Sequence, residues 1–78
     1  MSLESKVITC IAAITGIPEE DISQEKFLEK DLGVSELELK DILSDLSREL
    51  GFPLSSEGKD LKTVQDLILI VHENQPLA

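Results

Sequence analysis

Apolar residues along this chain recur at the spacing of helices. Leu3, Val7, Ile11 and Ile14 fall three or four apart, which predicts a first helix from about Leu3 to Thr15. Gly16, with Pro18 two residues on, ends it. The second pattern is the clearest: Leu39, Ile42, Leu43, Leu46 and Leu50 make one apolar stripe along a helix from Glu36 to Leu50. Ser35 and Glu38 have the Ser-x-x-Glu spacing of a capping box at its start, and Gly51 and Pro53 close it. A second capping box, Thr63-Val64-Gln65-Asp66, opens a last helix with Val64, Leu67, Ile68 and Val71 facing inward. No segment alternates with a period of two for long enough to form a strand. The expected fold is therefore all-α, a small antiparallel bundle of three main helices and one short one, in a single domain over residues 1–78.

Residues 16–35 form a long connection in which Ile17, Ile22, Phe27, Leu28 and Leu32 are expected to pin the chain across the bundle. Ser55, Ser56 and Gly58 mark a turn, and Lys59 to Leu61 is the expected site of the short helical turn. Pro76-Leu77-Ala78 reads as a frayed tail.

Composition narrows the partners. Hydrophobic residues make up 41% of the 78, enough for one modest core, which must be aliphatic because only Phe27 and Phe52 are aromatic. A formal net charge of −9 argues against nucleic acid and anionic membranes, which both call for a basic footprint. It suits a basic partner surface, or simply solubility. Cys10 is the only cysteine, so an internal disulfide is ruled out; it is expected to pack as a small hydrophobe in a reducing cytoplasm. The chain opens without a secretory signal pattern, and its longest aliphatic run, Leu67 to Val71, is too short to span a bilayer. A cytoplasmic monomer is the expectation.

Catalytic chemistry is thin. The one histidine, His72, lies near the end of the last helix, where it is expected to meet the terminal carbonyls. One histidine and one cysteine do not make a usual zinc site. Asp31 to Glu36 lacks the oxygen ligands of a calcium loop, since leucine and valine stand at ligand positions. There is no strand to precede a glycine-rich phosphate cradle. The chain is not expected to be an enzyme acting alone.

Around the second helix each residue advances by about 100°. Leu37 falls opposite the apolar stripe, near Asp41, Ser44 and Arg48, while Glu38, Asp41, Asp45 and Glu49 form an acidic flank. Like charges at this spacing cost roughly 0.2–0.5 kcal/mol per pair, so a sequence tuned only for helix stability would alternate them. The arrangement fits a docking surface in which acids steer a basic partner and Leu37 anchors it; the plain alternative is a solvated face.

Taken in order, Gly16-Ile17, Ile22-Ser23, Asp31-Leu32-Gly33, Leu37, the amphipathic second helix and Thr63-Val64 make this chain resemble an acyl carrier protein over most of its length. The resemblance implies a four-helix bundle. It also implies a serine at the start of the second helix that carries 4′-phosphopantetheine, and partner enzymes that dock on acidic residues of that helix. The key position departs from the pattern. Where the family has Asp-Ser-Leu, this chain has Ser35-Glu36-Leu37, so Glu36 stands at the attachment position and Ser35 at the aspartate's. Lys40 and Ser44 stand where the family usually exposes apolar residues, and Arg48 interrupts the acidic surface. A carboxylate does not form the phosphodiester. Ser35 is the alternative attachment residue, though its hydroxyl also suits the helix cap.

Two functions follow from the resemblance. One is a carrier-like binding module of fatty-acid or polyketide-type metabolism without the prosthetic group. It would dock basic-surfaced acyl-transfer or synthase-type enzymes through Glu36, Leu37, Glu38, Asp41 and Asp45. The other is a working carrier modified at Ser35. Glu36 is either an ordinary first-turn acid or a fixed stand-in for part of the phosphate charge.

Overall fold

The computed structural model describes residues 2–54 and 60–76. Three α-helices carry the fold: α1 (Leu3–Thr15), α2 (Glu36–Leu50) and α3 (Val64–Asn74). A short 3₁₀ turn, Glu19–Asp21, lies between α1 and α2. Among the described residues there are no strands, only an isolated antiparallel bridge pairing Phe27 with Thr63. This is the all-α bundle that the helical periodicity predicts, with the same bounds for α1 and α2.

The helices begin and end where their local chemistry dictates. Ser2 caps α1 by accepting from the Ser5 N–H at 3.1 Å. Gly16 ends it in the left-handed region (φ 78°), where its N–H reaches the Ala12 carbonyl and a side chain would be strained. At α3, Thr63 Oγ1 accepts from the Asp66 N–H at 3.3 Å, and Asp66 Oδ2 accepts from the N–H groups of Thr63 (3.0 Å) and Lys62 (2.9 Å). Burial works to raise the Asp66 carboxyl, but these donors outweigh it and hold the group below the usual aspartate range.

Both α2 and α3 pack on α1. The core is aliphatic, with Val7 and Ile11 of α1, Ile42 and Leu46 of α2, and Val64, Leu67, Ile68 and Val71 of α3. The long connection closes it with Ile22, Leu28, Leu32 and Val34, all buried, and Ile17 packs against it. Backbone hydrogen bonds then tie this connection to the start of α3: Leu28 N–H to Lys62 O (2.8 Å), Val64 N–H to Lys26 O (3.0 Å) and Gln65 N–H to Gln24 O (3.0 Å). Cys10 packs as expected, buried, with its thiol 3.7 Å from the Ile42 carbonyl. Burial first, then the charges of Asp45 and Glu49, push that thiol up to about 11.

Four details differ from the sequence reading. Phe27 does not pin the connection; it is 42% exposed, with the Lys30 ammonium 5.6 Å from its ring centroid. The bridge to Thr63 fixes its backbone while the side chain turns outward. The short helical element falls at Glu19–Asp21, and Asp60 and Leu61 are not helical. Lys59, the turn at Ser55, Ser56 and Gly58, and Leu77 and Ala78 lie outside the described residues. A single acidic turn has no apolar stripe to announce it. His72 does not turn to the terminal carbonyls; its Nε2 lies 3.0 Å from Glu4 Oε1, linking the end of α3 to the start of α1. Ile70, which the inward-facing pattern omits, is buried.

Candidate functional site

The start of α2 is built by three consecutive residues with different tasks. Gly33 takes a left-handed turn (φ 68°), which redirects the chain and favours a residue without Cβ. Val34 is buried in the core and bonds back through its N–H to the Leu28 carbonyl at 2.7 Å. Ser35 is then set in extended conformation as the N-cap. Its Oγ accepts the Glu38 N–H at 3.2 Å, and Glu38 Oε1 accepts the Ser35 N–H at 3.2 Å. Both halves of the expected capping box are present.

The cap sorts the acids of α2 by availability. Glu38 has one carboxylate oxygen held by the cap backbone. Asp45 is ion-paired with Arg48. Glu36 and Asp41 are exposed, and neither makes a hydrogen bond or ion pair among the described residues. Leu37 between them is 73% exposed, the most exposed of the large hydrophobic side chains among the described residues. The proposed docking residues therefore do not act alike: Glu36, Leu37 and Asp41 present free groups, while Glu38 and Asp45 are already engaged. Both engagements are local: that of Glu38 follows from the Ser-x-x-Glu spacing, and Asp45 meets Arg48 three residues on along the same helix.

Two depressions flank α2. An open cleft of about 640 Å³ runs between the 27–36 stretch and Asp60–Lys62, lined in part by Val34, Ser35, Glu36 and Leu39. A groove of about 560 Å³ lies between α1 and α2, lined by Cys10 with Asp45, Arg48 and Glu49 along the α2 side. The acidic flank thus turns partly toward α1 rather than wholly outward. The raised thiol of Cys10 leaves almost no thiolate at neutral pH, which fits a packing role for this side chain.

A small helical bundle with an exposed, capped second-helix start is the architecture of a carrier module. The family model for the phosphopantetheine attachment site matches residues 5–71, most of the chain. The chain belongs to this family, that of the acyl carrier proteins. Members serve as carrier modules rather than as catalysts, normally bear 4′-phosphopantetheine, and work with acyl-transfer and synthase enzymes. No helix of the described residues is long and apolar enough to cross a membrane.

The residues at the helix mouth fit the prosthetic group poorly. Joining a carboxylate such as Glu36 to phosphorus gives an acyl phosphate, an anhydride open to hydrolysis, and not a phosphodiester. The hydroxyl at this mouth belongs to Ser35, and its oxygen accepts a backbone N–H.

Proposed function

We propose that this member of the acyl carrier family is an interaction module of fatty-acid or polyketide-type metabolism, working as one domain over residues 1–78 without 4′-phosphopantetheine. It docks basic-surfaced acyl-transfer or synthase-type enzymes through Glu36, Leu37 and Asp41, with Glu38 and Asp45 adding to the local negative field. It acts as a cytoplasmic monomer, and its single buried cysteine suits a reducing compartment. The observation that carries this reading is the engagement of the Ser35 hydroxyl in a reciprocal cap beside a glutamate at the attachment position.

A second reading keeps the cargo. Ser35 is exposed and borders the cleft of about 640 Å³, which favours it as an out-of-register attachment residue. Against this, modification there would put the phosphate beside the Glu36 carboxylate, a like-charge contact.

Intact mass spectrometry after incubation with coenzyme A and several broad-specificity phosphopantetheinyl transferases separates the two. The expected result is an unchanged mass. A pantetheinyl gain that disappears in Ser35→Ala makes the protein a carrier and ends the cargo-free reading.

A further inference from the structure

The mismatch at the helix mouth has a specific geometry. In a serine phosphodiester the phosphorus is the third atom out from Cα, after Cβ and Oγ. In glutamate the third atom is Cδ, and Oε1 and Oε2 correspond to the two non-bridging phosphate oxygens. Each group carries one negative charge at neutral pH. Glu36 opens α2, where the free N–H groups and the helix dipole favour an anion of either kind. Its carboxylate is not consumed by the cap, which Ser35 and Glu38 complete between themselves. Lys40, one turn on, forms no ion pair with it. Leu37, 73% exposed, stands next to it. A residue needed only for helix stability would gain as much at other first-turn positions; here the charge is left free beside a bare apolar side chain.

We propose that Glu36 permanently replaces the anionic head of the prosthetic group, so that the unmodified chain occupies partner sites built for a loaded carrier. The partner is an acyl-transferring enzyme with a cationic recess at the mouth of an apolar channel. Glu36 meets the cations and Leu37 meets the apolar rim, while the channel stays empty because no arm follows the carboxylate. The chain is then a competitor of loaded carriers that delivers nothing. This deepens the docking reading above and rests on it.

The test is displacement, read by fluorescence anisotropy. A fluorescently labelled, phosphopantetheinylated acyl carrier protein is bound in turn to a panel of carrier-dependent acyltransferases and condensing enzymes, and the full unmodified chain is titrated in. The wild-type chain is expected to displace the labelled carrier from at least one enzyme. Glu36→Gln, the same shape without charge, is expected to need about tenfold more protein. Glu36→Asp, charged but shorter, should fall between them, and the circular dichroism spectra should be unchanged. If the wild-type chain competes and Leu37→Ala or Asp41→Asn weakens it while Glu36→Gln does not, the replacement idea is overturned and the docking surface stands. If the wild-type chain displaces nothing across the panel, both are overturned.

Discussion

At the residue scale, position 35 holds the decision between cargo and no cargo, and its hydroxyl is already at work. Ser35 Oγ satisfies one of the open N–H groups that every helix start leaves unpaired. Replacing it with alanine removes the cap, and Ser35→Ala is expected to lower unfolding stability by about 1 kcal/mol, measured by urea denaturation. Ser35→Asp should recover most of that loss, because aspartate caps as well as serine does. Recovery by aspartate reports the cap alone, while the mass measurement on Ser35→Ala reports the nucleophile. Glu36, one residue on, is exposed and unengaged, so its loss should register in binding far more than in folding.

At the scale of elements, the start of α3 does two jobs with one carboxylate. Asp66 closes its own helix and also receives the N–H of Lys62, the residue whose carbonyl holds Leu28 of the long connection. Cap and connection are thereby joined. Because the Asp66 carboxyl is depressed in the folded protein, its contribution is present above the usual aspartate pKa. It is lost as pH falls through the lower, folded value. Asp66→Ala is therefore expected to cost about 1 kcal/mol at pH 7, with the gap from wild type closing in chemical denaturation as the pH falls below the usual aspartate range. Glu4 follows the same sign: hydrogen bonding from its own backbone N–H first, and from His72 second, lowers its pKa, so its contribution also fades in acid. That link is exposed and is a minor one.

For the whole molecule, a net charge of −9 on 78 residues sets folding and docking against each other in their response to salt. Repulsion among the acids opposes the compact state, and screening relieves it. Docking to a basic partner draws on the same charges and is weakened by the same screening. Raising sodium chloride from low concentration to about 0.15 M, where the Debye length is near 8 Å, should raise the melting temperature. The same change should reduce displacement of a loaded carrier. A melting temperature that falls with salt would mean that attractive pairs dominate the surface. With sixteen acids against seven lysines and arginines, pairs such as Arg48 with Asp45, Lys62 with Asp60 and His72 with Glu4 do not balance the acids.

What the sequence determined alone is what neighbours in the chain can enforce. Apolar spacing set α1 and α2 to their observed bounds, and the two capping boxes formed because each needs only residues three apart. The order of these elements, with Asp31-Leu32-Gly33 before α2, was enough to point to the family. The tertiary structure decided what depends on residues brought together from afar. Phe27 turned outward with its backbone paired to Thr63, His72 met Glu4 from the other end of the chain, and the short turn appeared at Glu19–Asp21 without any apolar signal. Periodicity reports which face of a helix is apolar; it carries no information about which partner a given side chain will find once the helices have packed.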